Sequence, residues 1–287
     1  MANYRIITDS ACDLWADLIK ELDITVVPLT LNFRGESRED SVESGMGEFF
    51  DALRAGEAAT TSAVNPDRWA QAMEPVLAAG EDVLVIAFSS GLSTTYQSAE
   101  IAAGELREKY PERTVCVVDS RCASLGQGLL VWYACKKRDA GMDIRQLAQW
   151  LDENRFHLCH WFTVDDLMYL KRGGRISATT AVVGTMLKIK PVLHMDDAGH
   201  LINMSKARGR KASINALADK MGELGLPGEN DTVFICQGDC LEDAHHVADR
   251  VREKFGAREF YFNDIGPVIG SHTGCGCVSI FFLGERR

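Results

Sequence analysis

Apolar positions in the first half of the chain follow two alternating patterns. RIIT (Arg5 to Thr8), DVLVIAF (Asp82 to Phe88) and TVCVV (Thr114 to Val118) are short runs rich in Val and Ile, as expected of strands buried on both faces. Between them, CDLWADLIKEL sets Leu14, Leu18 and Leu22 four residues apart on one helical face. SLGQGLLVWYACKKRD and DIRQLAQWLDENRF (Asp143 to Phe156) read as further helices, and Asn65-Pro66 opens another with Pro66 at its first position. Strands separated by helices imply parallel pairing and right-handed crossovers.

From about residue 157 the pattern changes. HLCHWFTV reads as a strand, DLMYLKRGGRIS as a short helix closed by glycine, and TTAVVGTMLKI as a helix of small residues. Asp197-Ala198-Gly199 is a turn, so Lys190–Met195 and His200–Met204 are expected to pair as a hairpin. Strand and helix then alternate through DTVFICQG, LEDAHHVADRVREKFG, REFYFND and CVSIFFL. The expectation is an α/β protein: a parallel βαβ domain over 1–157, then an α+β domain with a largely antiparallel or mixed sheet over 158–287.

Three polar dipeptides end the strands of the first half: Asp9-Ser10, Ser89-Ser90 and Asp119-Ser120. In a parallel sheet they share the carboxyl edge, where α/β folds place ligands. Each alone could be a helix N-cap. FSSGLSTTYQSA exceeds that need, with Ser89, Ser90, Ser93, Thr94 and Thr95, and TTSAVNP repeats the surplus in a second polar turn with Thr60, Thr61 and Ser62. In IGPVIGSHTGCGC, His272 stands among glycines just before the last strand, where backbone can approach a ligand closely.

Composition removes several classes of function. A net charge of -10 with no long basic block argues against a duplex nucleic-acid binder. Apolar runs such as VLVIAF are far short of a membrane span of ~20 residues, leaving at most transient contact with a membrane surface. MANYRIITDS lacks a basic region followed by an apolar core, and nine scattered cysteines read as reduced thiols of a cytoplasmic protein. Cys236/Cys240 and Cys275/Cys277 lack the two-residue gap of a zinc knuckle, and HLCH (His157, Cys159, His160) sits in a strand, so no metal is expected. GxxxxGK[ST] and GxSxG are absent, and the Gly126-Gln127-Gly128 pair lacks the third glycine of a dinucleotide fingerprint. Ser93 with a distant histidine leaves a hydrolase or acyltransferase as the alternative function.

ITDSACDL, TSAVNP, SSGLSTTYQSA, DLMYLKRGGRIS, GTMLKIKPVLHMDDAGHL, KARGRKA and GPVIGSHTG together resemble, in order, the signature segments of the DegV family of bacterial fatty-acid-binding proteins. Some members of that family are the substrate-carrying subunit of fatty acid kinase. The resemblance implies one long-chain fatty acid between two α/β domains, no other cofactor, and no catalytic residue in this chain. It implies that Thr61, Ser93 and His272 surround the carboxylate, with Ser62, Thr94, Gly270, Ser271 and Thr273 in the supporting loops. A separate ATP-binding subunit would phosphorylate the bound acid, and Arg172, Arg175 and Arg208 would meet the phosphate or that partner. The chain departs from the family pattern at Ala63-Val64, where Gln-Pro is usual, at Thr94 for glycine, and at Cys275 for proline.

Overall fold

The computed structural model describes residues 4–41, 46–177 and 189–287. Four Val- and Ile-rich strands, β1 (Tyr4–Asp9), β2 (Thr25–Val27), β6 (Asp82–Ala87) and β7 (Val115–Asp119), form an all-parallel sheet in the order β2-β1-β6-β7. Their mostly buried side chains match the continuous apolar runs of the sequence.

A six-stranded sheet gathers the strands after residue 157. It comprises β8 (Leu158–Thr163), β9 (Ile189–Met195), β10 (Leu201–Arg208), β11 (Thr232–Gln237), β12 (Glu259–Asp264) and β13 (Val278–Leu283), in the order β10-β9-β8-β13-β11-β12. Only β11 and β12 pair in parallel, so the sheet is mixed, as expected. The hairpin of β9 and β10 forms with Met195 opposite Leu201, and Gly199 takes a φ of 79° in its turn. The small-residue segment Thr179–Lys188 lies outside the described residues, and Ile189, its expected last residue, instead opens β9.

Three local expectations are corrected. The first helix is only Ala16–Glu21, because Asp13 takes a left-handed φ of 52° after a 3-10 turn at Ser10–Cys12; Leu14, Leu18 and Leu22 are nevertheless all buried. Thr60, Thr61 and Ser62 are not in a turn. They belong to β5 (Ala59–Ser62), which joins β3 (Thr30–Phe33) and β4 (Glu36–Glu39) in a small antiparallel sheet, with Arg34-Gly35 at positive φ as its two-residue hairpin turn. Finally, the glycine-rich Pro267–Thr273 segment is a short helix rather than a loop.

The helix Leu125–Asp139 lies between the two large sheets, and its glycines make that possible. A β-carbon on Gly126 would collide with His160 and Phe281 of the second half, and one on Gly128 with Cys12 and Leu14 of the first. Gln127 between them is fully buried and donates to Thr8 Oγ1 at 3.0 Å. One hydrophobic cluster therefore runs through both halves, from Ile6 and Val85 to Phe162, Phe234 and Phe281. A second lies beyond the six-stranded sheet, around Val233, Val247 and Phe282. In the helix Pro66–Ala78, Asn65 caps Arg68 N, and Trp69, Met73 and Leu77 are buried at four-residue spacing. Full burial of each such side chain contributes roughly 1.5–3 kcal/mol. Trp69 Nε1 also donates to Thr95 O at 3.2 Å, fixing the start of the helix Thr95–Lys109.

Candidate functional site

The three polar dipeptides do meet at the carboxyl edge of the parallel sheet, but most of their groups bind protein. Asp9 Oδ2 accepts from Phe88 N at 2.7 Å, and its Oδ1 accepts from Ala11 N at 3.1 Å. Asp119 Oδ1 accepts from Ser90 N and Arg121 N, both at 3.1 Å. Ser89 Oγ donates to Gly199 O at 2.9 Å, reaching across to the β9–β10 turn. These bonds stitch neighbouring loops together. Complete burial pushes the Asp9 carboxyl up to about 7.

Just beyond this edge is a cavity of about 440 Å³, lined from both halves of the chain. Its wall is largely apolar, with Phe88, Leu92, Phe162, Met195, Ile269 and Phe281. Thr61, Ser93 and His272 all line it, so the structure brings together the three expected head-group residues from a strand, a turn and a short helix. Ser62, Thr94, Thr273 and Arg175 line it as well. Ser271 instead lines an adjoining cavity of about 280 Å³, together with Arg172 and Tyr169. Thr61, Arg175 and His272 border both spaces and so form the partition between them.

His272 Nε2 lies 2.9 Å from Thr61 Oγ1. Its buried Nδ1 finds no hydrogen-bond partner among the described residues and rests against Gly173, where a β-carbon would collide with it. This explains half of the double glycine in KRGGR; Gly174 supplies a φ of 72° just past the short helix Met168–Arg172. A proton on Nδ1 would be buried without an acceptor, so the favoured tautomer carries it on Nε2 and donates to Thr61 Oγ1. The Thr61 hydroxyl proton is then free to point elsewhere. Burial, with the Arg175 charge adding to it, pushes the His272 imidazole down to about 4, so it is neutral at physiological pH.

Ser93 makes no hydrogen bond to His272. Its Oγ accepts from Thr95 N at 3.2 Å and lies 2.8 Å from Thr95 Oγ1, leaving capacity for one further partner. Arg175 donates from Nη2 to Leu92 O at 3.0 Å and from Nη1 to Gly173 O, and burial lowers its pKa. The Arg172 guanidinium stacks 4.5 Å from the Tyr169 ring centre. Arg208 ends β10 on an exposed surface and lines neither cavity. Gly270 also lines neither: a β-carbon there would press on Phe49 and Phe50, so its absence serves packing rather than ligand approach.

His160, Ser124 and the aromatic wall were not anticipated as site residues. In sequence they are indistinguishable from core, except that Ser124 takes φ 54° and ψ -148°, an uncommon conformation for a residue other than glycine. All nine cysteines are free thiols. Among the described residues no cluster of three His, Cys, Asp or Glu side chains could hold a metal, and no helix is long and apolar enough to cross a membrane.

A DegV domain-containing protein of Clostridium perfringens is 44% identical to this chain, covering 100% of it and 99% of the relative. A solved DegV family protein of Thermus thermophilus, described by its fatty acid binding, superposes with a TM-score of 0.88 at 31% identity over 98% of this chain and 99% of that one. A Thermotoga maritima structure described as revealing a fatty acid binding function gives 0.86 at 28% identity, over 99% of this chain and 100% of that one. The family model described as uncharacterised protein, DegV family, matches residues 3–285, and the chain belongs to the DegV family.

Proposed function

We propose that this protein binds one long-chain fatty acid in the cavity between its halves, with the carboxylate at the Thr61, Ser93 and His272 end. The observation that carries this reading is the Thr61 hydroxyl, free to donate when His272 Nε2 donates to it, beside a Ser93 hydroxyl with capacity for one further partner, on a largely apolar wall. A buried carboxylate without donors would cost several kcal/mol. Here Thr61 and Ser93 donate to it, and His272 acts through Thr61 by holding that hydroxyl in its donating orientation. About 14 methylenes of a C16 tail contribute about 0.8 kcal/mol each, roughly 11 kcal/mol gross, against the ordering cost of association. The fatty-acid-binding descriptions of the Thermus and Thermotoga relatives support the same ligand class.

We further propose that the bound acid is presented in the cytoplasm to a separate ATP-binding kinase subunit, which forms the acyl phosphate. Arg175 on the partition and Arg172 in the adjoining polar cavity are suited to a developing phosphate, with Arg208 on the surface left for docking. No catalytic group and no further cofactor are required of this chain. Its division into domains at 157/158 is part of the same reading, since the ligand spans that boundary. The test is denaturing mass spectrometry of lipid released from freshly purified protein. About one C14–C18 acid per chain is expected; lipid-free protein whose melting curve ignores added acids would overturn the reading.

A further inference from the structure

Two carboxylates with no role so far are buried where the halves meet. Asp13 Oδ1 accepts from Gly266 N at 3.0 Å, and its Oδ2 accepts from Ser124 Oγ. Asp40 Oδ1 accepts from Val268 N at 2.9 Å, and its Oδ2 accepts from Ser10 Oγ at 2.7 Å. Ser10 Oγ in turn accepts from Leu29 N at 3.0 Å, which fixes the Asp40 side chain. Neither acid forms an ion pair among the described residues.

Gly266 is the N-cap residue of the helix Pro267–Thr273, and Val268 is its second residue. Pro267 between them has no N–H, so every backbone donor from 266 to 268 goes to an acid from the first half of the chain. Gly266 has no side chain with which to cap its own helix. A neutral Ser or Asn at 266 would be the ordinary solution, at much lower desolvation cost. A helix of seven residues does not hold itself together in isolation. Its last turn must nevertheless seat the His272 ring between Thr61 on one side and the bare Gly173 backbone on the other.

We propose that Asp13 and Asp40 are positioning residues for the head-group site: they clamp the first turn of this helix so that His272 meets Thr61. They touch no ligand. The proposal rests on the fatty-acid reading for its effect on affinity, but its effect on His272 can be read without any ligand.

The experiment compares palmitate with methyl palmitate by calorimetry, and follows the His272 imidazole by NMR titration. In Asp40→Ala, palmitate affinity is expected to fall by roughly 2- to 13-fold more than ester affinity, as for loss of the neutral His272–Thr61 hydrogen bond. The His272 midpoint should rise from about 4 toward its ordinary value of 6.5. Asp40→Asn keeps an oxygen that accepts from Val268 N and should retain both properties. Equal losses for acid and ester, or an unmoved His272 midpoint in Asp40→Ala, would overturn the proposal. Should Asp40→Ala fail to fold, Ser10→Ala releases the Asp40 side chain and should give the same changes on a smaller scale; an unchanged acid-to-ester ratio there also overturns it. Wild-type protein that binds no palmitate would sink the fatty-acid reading alone, because the His272 midpoint still tests the clamp.

Discussion

Gly173 and His272 are paired by exclusion: the ring sits where residue 173 would otherwise carry a β-carbon. The double glycine and the histidine, about a hundred residues apart in the chain, are one local device. Gly173→Ala should push the ring off Thr61 while leaving both hydroxyls in place. Loss of a neutral hydrogen bond is worth about 0.5–1.5 kcal/mol, so palmitate should bind roughly 2- to 13-fold more weakly in calorimetry. An unchanged affinity would show that the His272–Thr61 contact does not serve binding.

On the proposed function, Thr61→Ala and Ser93→Ala each remove a donor to the carboxylate. Such bonds are worth about 1.5–3 kcal/mol, so each variant should lose roughly 10- to 150-fold in fatty-acid affinity. Methyl esters should respond much less. Because His272 acts through Thr61, His272→Ala should add little to Thr61→Ala. Additive losses in that double-mutant cycle would instead place His272 directly on the carboxylate.

The Asp40 carboxyl is pushed up to about 6 from 3.8 by burial. Folding therefore favours its protonated form, and its contribution is most favourable below 3.8 and is lost as pH rises through 6. Asparagine does not titrate. The stability of Asp40→Asn relative to wild type should climb between pH 4 and 7.5, by on the order of 2–3 kcal/mol. A difference that falls over this range in chemical denaturation would contradict the assignment. His272 and His194, both held near 4 by burial, work in the other direction, losing stability as pH drops below 6.5, so a pH profile of wild type alone would mix the opposing effects.

Removal of the acid should lower thermal stability. A ligand at about 100 times its dissociation constant adds ~2.7 kcal/mol, a readily measured shift in melting temperature. Delipidated protein that melts at the same temperature as the loaded form would mean that the lipid is incidental to the fold.

The alternation of Val- and Ile-rich runs with helical spacing made the parallel sheet legible, and Asp197-Ala198-Gly199 marked the β9–β10 hairpin. The strand carrying Thr61 was hidden because ATTS, at a half-exposed sheet edge, has no large apolar residue to reveal a strand's alternation, although threonine itself favours strands. The helix carrying His272 was hidden by its glycines, which normally break helices. Close packing of Gly270 on Phe49 and Phe50 overrides that tendency, for a reason no local pattern encodes. Hydroxyls and a histidine in excess of structural need were readable as a candidate head-group site. The cavity wall was not: Phe281 faces the cavity and its neighbour Phe282 the outer cluster, and only the third dimension separates them.

The shared core has a kinetic consequence. Because the Leu125–Asp139 helix is wedged between both sheets, the halves cannot swing apart like a clamshell without wetting the seam. Exposing even ~400 Å² of it would cost about 10 kcal/mol. On the proposed function, the acid would enter and leave by local movements of the cavity wall rather than by hinge opening. Exchange of a bound acid is therefore expected to be slow in both directions.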